Sequence, residues 1–364
     1  MVYRENNFVA IDVAAGLRLV SRRWLRGAPM KFIKLIFPLL AFVWLCLFSL
    51  ESQAQVSKTT TAYVSDSAGV LPLWIAKDAG IFARNGLDAQ AVRVHAAVGV
   101  MALMSGELQF VLASGPVVVE SALRGSNTVY VAGGMSTLDF VLVTRPEIKN
   151  AEQLKGGTVG LSAIRGANPT ATRFALQKLG LAPKDVSLIV VGGTSERIAS
   201  LRLGKIHGTL FSPPQNITAQ REGFNALADV AELGLPFVHI GVVTNRAMIR
   251  DKPETVRRYV KSHVEAVALM KTDRELALKV LGKYLGQIKE RDVLVKSYEA
   301  AAPDNRISRK QYPSIAGLQM ALDLLADENP KAKIAKPDDF VDNRFIKELD
   351  DSGYIDSLYK PKPR

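Results

Sequence analysis

Six short stretches of this chain are rich in small residues, five of them with hydroxyls, and each sits where an apolar, β-branched run gives way to helical spacing. They are Ser65-Asp66-Ser67-Ala68, His95 to Gly99 with Ala97 at its centre, Ser114-Gly115, Ser162 to Gly166, Gly192-Gly193-Thr194-Ser195, and Ser212-Pro213-Pro214. At such a joint the first N–H groups of a helix have no intrahelical acceptor, and small side chains let a ligand come close to them. The chemistry this suits is capture of a small polar or anionic molecule by hydrogen-bond donors. The same residues can do plainer work. Ser65, Asp66, Thr194 or Ser195 could cap the helix that follows, worth about 1 kcal/mol, and Ala97 could sit in a simple turn.

Arg165 is the one arginine or lysine within the six joints. Its planar fork of donors suits a carboxylate or a sulfonate, although a surface arginine beyond the loop would look the same in sequence. Ser212 and Pro213 are expected to line the floor of a cleft. Thr137, Leu138 and Asp139 are placed to touch a ligand at a hinge. The four histidines, His95, His207, His239 and His263, show no HxH or HExxH spacing, so no metal, cofactor or catalytic arrangement is expected.

The elements that must position these joints alternate along the chain. Strands are expected near 59–64, 89–94 and 108–113, each followed by its joint and a helix, with a further strand at 128–132. The apolar run 140–144 is expected to cross into a second block, where 158–161, 186–191 and 208–211 repeat the strand, joint, helix order. Val238 to Thr244 resembles 140–144 and is expected to cross back. From Asn245 onward the spacing is helical, clearest at 253–270, where Val256, Tyr259, Val260, His263, Val264 and Val267 share a face. Such alternation predicts an α/β fold of two lobes with mostly parallel, doubly wound sheets, their joints facing one another across a cleft. The expected division is 55–143 with 244–364 as lobe one and 144–243 as lobe two. Trp74 is expected in the core.

The amino terminus follows different rules. Met30-Lys31-Phe32-Ile33-Lys34, an uncharged apolar run from Leu35 to Leu50, and Ser52-Gln53-Ala54 together match a secretory signal cleaved near Ala54. Residues 1–29 are read as an upstream extension. The single cysteine, Cys46, falls inside the apolar run, so the processed chain is expected to have neither disulfides nor a thiol nucleophile. Removing seven basic and three acidic residues from a formal charge of +12 leaves +8. Because Lys and Arg are interspersed with Asp and Glu, this reads as a solvated surface, not a nucleic-acid face.

At this level the residues carry a family resemblance. LPLWIAKDAGIFARNGL (71–87), LMSGELQF (103–110), LKGGTVG (154–160), LRLGKIHG (201–208) and FVDNRFIKEL (340–349) resemble, in order, the periplasmic substrate-binding proteins of ABC importers. The group is the one that includes nitrate-, sulfonate- and taurine-type binders and the binders of thiamine-pyrimidine precursors. The resemblance implies a type II periplasmic-binding fold that captures a small solute by hinge closure. It also implies delivery to a membrane permease with its ATPase, in a periplasmic protein that is a monomer, not an enzyme, and has no nucleic-acid partner. The alternatives kept open are an enzyme related to pyrimidine-precursor synthesis and a ligand-sensing partner of a membrane receptor.

Overall fold

The computed structural model describes residues 56–286, 288 and 290–361; the expected signal, its cleavage site and the upstream extension lie outside the described residues. Ten strands form two five-stranded sheets, ordered β2-β1-β3-β10-β4 and β7-β6-β8-β5-β9. The first contains Ser57–Tyr63 (β1), Leu87–Arg93 (β2), Phe110–Ala113 (β3), Thr128–Thr137 (β4) and Pro236–Asn245 (β10). The second contains Val141–Thr144 (β5), Thr158–Leu161 (β6), Ser187–Val190 (β7), Gly208–Phe211 (β8) and Asn225–Asp229 (β9).

In each sheet one strand runs against the rest. β1 is parallel to β2 and β3, and β10 is antiparallel to β3 and β4. Likewise β6 is parallel to β7 and β8, and β5 is antiparallel to β8 and β9. The direction follows from connectivity: a strand entering a lobe from its neighbour starts at the cleft edge and must run away from it. β5 and β10 therefore lie wholly within their sheets and do not span the lobes. The crossings are 138–140 and 230–235, a few residues to one side of where hydropathy alone put them, and the Val230 N–H to Phe140 O bond (2.9 Å) ties them together.

β9 has no strand signature in sequence. Asn-Ala-Leu-Ala-Asp lacks β-branched residues, and it is a strand because β5 offers it an open edge. The helices after Asn245 return to the first lobe. Helix α7 (Pro253–Thr272) buries Val256, Tyr259, Val260, Val264 and Val267 in the same core as Trp74 and Phe110. There the Tyr259 ring stacks on Phe110, and its hydroxyl accepts from Thr61 Oγ1 at 2.8 Å. Each such side chain contributes about 1.5–3 kcal/mol by leaving water. Trp74, in α1 (Leu71–Asp78), is fully buried, stacked on Tyr284 and edge-on to Tyr63. Helix α10 (Ile315–Leu325) covers the other face, pressed so close to β10 that a Cβ on Gly317 would come within 2.7 Å of the Val238 N.

Candidate functional site

A cavity of about 700 Å³ lies between the lobes, where the strands of both sheets that run toward the cleft end. It collects residues from all six joints: Ser65 and Ser67 after β1, His95 after β2, Ser114 after β3, Ser162 and Arg165 after β6, Thr194 after β7, and Ser212 after β8.

Local geometry decides which of these offer free groups. Ser114 is the N-cap of α3 (Gly115–Leu123), yet its hydroxyl makes no capping bond and faces Gly166 of the opposite lobe, whose added Cβ would come within 3.8 Å of it. Thr194 opens α5 (Thr194–Arg202), whose N-cap is Gly193, without a side-chain cap. Ser65 and Ser67 hydroxyls meet each other at 3.3 Å, and no side chain caps the turn Ala68–Val70 or α1. The capping alternative therefore fails at these joints, whose Ser65, Ser67, Ser114 and Thr194 line the cavity. The Ser162 loop is held from behind by Asn168, which accepts from the Ser162 N–H at 2.9 Å and donates to the Leu210 carbonyl at 3.2 Å.

Several expected residues do not line the cavity. Asp66 is turned aside: its carboxylate pairs with Arg93 at 3.1 Å, and its carbonyl accepts from Gln215 Nε2 at 3.0 Å. Ala68 is buried in the first-lobe core, and Leu138 in the second-lobe core beside Phe140 and Leu142. Gly115 faces Ala321 and Val238, where a Cβ would meet Ala321 at 3.2 Å, so it serves helix docking. Pro213 is buried behind Ser212. The second joint is shorter than hydropathy suggests, because α2 (Ala96–Ser105) already begins at Ala96 and takes Ala97 into its first turn.

Arg165 lines the cavity rim, but its guanidinium is occupied. Nε meets Glu120 Oε1 at 3.0 Å and Nη2 meets Glu328 Oε2 at 2.6 Å, both on the first lobe, and the hydrogen bond to Glu328 leads the rise in its pKa. It is thus a bridge between lobes. Gln215, which also lines the cavity, reaches Asp66, and away from the cavity Arg221 pairs with Asp292.

The residue that sequence spacing missed is Arg197. It is buried in α5, its guanidinium carbon 5.1 Å from the Phe211 ring centroid. Nε donates to the Gly192 carbonyl at 3.2 Å, and Nη1 to Thr209 Oγ1 at 3.2 Å and to the Leu210 carbonyl. Nη2 donates to Thr194 Oγ1 at 3.4 Å. Burial penalises its charged form and lowers its pKa to about 10, which still leaves it a cation at neutral pH. Its signal was legible only as a charged residue on the inward face of a helix, one turn past a joint.

At the floor, Ser212 Oγ donates to Asp139 Oδ1 at 2.8 Å, and the His239 and Phe140 rings pack 4.9 Å apart. His239 Nδ1 stands 3.2 Å from Asp139 Oδ1 but out of hydrogen-bonding line, so neither Nδ1 nor Asp139 Oδ2 has a hydrogen-bond partner among the described residues. No group of three or more metal-binding side chains occurs among the described residues.

A family model described as NMT1/THI5 like matches residues 67–276, more than half of the chain. The chain belongs to this family. No curated protein matches it by sequence. Among solved structures it is similar to the alkanesulfonate-binding protein SsuA of Xanthomonas axonopodis pv. citri bound to MOPS, at 17% identity and a TM-score of 0.64, covering 80% of this chain and 99% of that one. It is also similar to the periplasmic nitrate-binding protein NrtA of Synechocystis, at 13% identity and a TM-score of 0.67, covering 84% and 91%. A DszB variant in complex with biphenyl-2-sulfinic acid matches at 13% identity and a TM-score of 0.60, covering 82% and 99%. At these identities the likeness establishes the shared two-lobed periplasmic-binding fold.

Proposed function

We propose that the protein is the extracytoplasmic solute-binding component of an ABC importer, capturing a small anionic solute by hinge closure. The observation that carries this reading is the cavity lined by residues of both lobes and bridged at its rim by Arg165 and Gln215. A solute touching both lobes binds the closed form better than the open one and so populates it. A permease can then read the closed shape. In this account Ser65, Ser67, Ser114, Ser162, Thr194 and Ser212 supply hydroxyl contacts, and the carrier acts as a monomer beside a permease and its ATPase. The basic start and apolar run at 30–54 support export to the periplasm with cleavage near Ala54.

A hydrolytic reading is less well supported. The Ser212 hydroxyl donates to Asp139 and not to His239, so it lacks the imidazole base that would activate it. The test is a thermal-shift screen of the processed chain against sulfonates, nitrate, carboxylates and pyrimidines, with each hit analysed for chemical change. A raised melting temperature with unaltered solute is expected. Conversion of the solute to a product would overturn the carrier reading.

A further inference from the structure

We propose that the hinge carries a proton-operated catch: Asp139 holds the Ser212 hydroxyl of the second lobe and the His239 imidazole of the first, and the closed form gains population as His239 takes up a proton. The catch rests on the reading of the lobes as closing about the crossings, and it adds a proton to that equilibrium.

Its parts come from three places. Asp139 stands in the crossing 138–140, between β4 and β5. Ser212 follows β8 of the second sheet, and His239 lies in β10 of the first. One carboxylate oxygen serves both lobes: Oδ1 accepts from Ser212 Oγ at 2.8 Å and stands 3.2 Å from His239 Nδ1. All three residues are more than nine-tenths buried. Yet Asp139 Oδ2 and His239 Nδ1 have no hydrogen-bond partner among the described residues. Buried polar atoms are nearly always bonded, so two orphans on facing side chains mark an unfinished contact.

A proton on His239 finishes it. A neutral imidazole carries hydrogen on one nitrogen and an imidazolium on both, so protonation sets a charged N–H donor at Nδ1, opposite Asp139 Oδ1. The gain differs between the two forms. With the lobes closed, an ionised Asp139 beside a neutral imidazole is a buried charge without a counter-charge, and protonating His239 makes it a pair. With the lobes apart, Ser212 is withdrawn and water reaches the carboxylate, so the counter-charge contributes less. Closure therefore takes up a proton, and the closed form gains as the pH falls through the range of about 5 to 8 in which histidine changes charge.

The other charged groups nearby are engaged elsewhere. β3 and β4, which flank β10, carry no acid or base but Tyr130. Glu120 of α3 pairs with Arg124 and Arg165, and Asp323 of α10 accepts from Gln319. Arg306, beside the crossing, donates to Thr137. Across the cavity Arg93 pairs with Asp66, and Glu196 supports the charge of Arg197. Among the described residues no carboxylate other than Asp139 pairs with His239. His207 and His263 each bond within one lobe, to the Thr158 N–H and to Gln311, and so bear on folding and not on closure. His95 lines the cavity but is exposed, so closure changes its surroundings less.

The chain from residue 55 onward holds no cysteine, so Glu107→Cys and Lys205→Cys, at exposed positions before β3 and β8, place one dye on each lobe. Single-molecule energy transfer then counts closed and open molecules, without solute, from pH 8 to pH 5. The closed-to-open ratio should rise about threefold or more in the wild type and stay nearly constant in His239→Gln and in Asp139→Asn. A flat or falling wild-type ratio, or an equal rise in His239→Gln, would overturn the catch. Should the variants fail to fold, imidazole nitrogen resonances of the wild type decide, assigned by removing His95, His207 and His263 one at a time. His239 must gain its proton where the ratio changes; a ratio that follows another histidine, or a His239 that stays neutral to pH 5, overturns the catch as well. A flat ratio leaves the carrier reading standing, whereas lobes that stay fixed at every pH and with every solute of the thermal-shift screen sink hinge closure itself.

Discussion

Replacing Arg165 with glutamine separates two physical roles that predict different magnitudes. In the structure its guanidinium spans the cleft, pairing with Glu120 at 3.0 Å and Glu328 at 2.6 Å. Its side chain is 39% exposed, so both pairs are solvent-screened and each contributes about 0.2–1 kcal/mol. Arg165→Gln should therefore cost the closed form about 0.5–1.5 kcal/mol in all, a two- to tenfold drop in the closed-to-open ratio. A solute that binds only when the lobes close bears that loss whatever its charge. Its dissociation constant should rise two- to tenfold, equally for an anionic and a neutral ligand, and small-angle scattering of the ligand-free variant should report a larger radius of gyration. If Arg165 instead gripped the anionic head, truncation would leave a desolvated charge unpaired, at about 2–5 kcal/mol, and only anionic ligands would suffer. Calorimetric titration of 2-naphthalenesulfonate and 2-naphthalenemethanol distinguishes the two. A loss above a hundredfold confined to the sulfonate would refute the bridging role.

Two further outcomes concern stability. His263 is buried with Nε2 at 2.9 Å from Gln311 Oε1, and burial lowers its pKa below the ordinary 6.5. The unfolded chain therefore binds a proton that the folded chain resists, so the penalty is absent well above pH 6.5 and grows as the pH falls through it. It cannot exceed about 2 kcal/mol at pH 5, a limit set by the unfolded value alone. The pKa of His207 is also lowered, again chiefly by burial, and acts with the same sign. Urea unfolding at pH 7.5 and pH 5 should show a smaller acid loss in His263→Gln than in the wild type, and identical losses would contradict the argument. Trp74→Ala should cost about 3–5 kcal/mol, because the indole fills the space between Tyr63 and Tyr284; a loss under 1 kcal/mol in the same assay would show that the site collapses around the gap.

The alternation of β-branched runs with small-residue joints and helical spacing is a local property, and it determined the α/β class, the burial of Trp74 and the six loops at the cleft. A strand, a turn and an amphipathic helix each leave their mark within about ten residues. The five matched segments carried the family for the same reason, since they are mostly scaffold. β9 left no such mark, because Asn225–Asp229 becomes a strand only against the edge of β5. The reversed direction of β5 and β10 likewise follows from where the chain enters each lobe. The sharpest divergence lies between two arginines. Sequence singled out Arg165, which stands in a joint, and passed over Arg197, which stands inside a helix. Whether a charge is free to meet a solute depends on what faces it from distant parts of the chain. Glu120 and Glu328 pair with the first, whereas the second is held by the Gly192 and Leu210 carbonyls and the Thr194 and Thr209 hydroxyls.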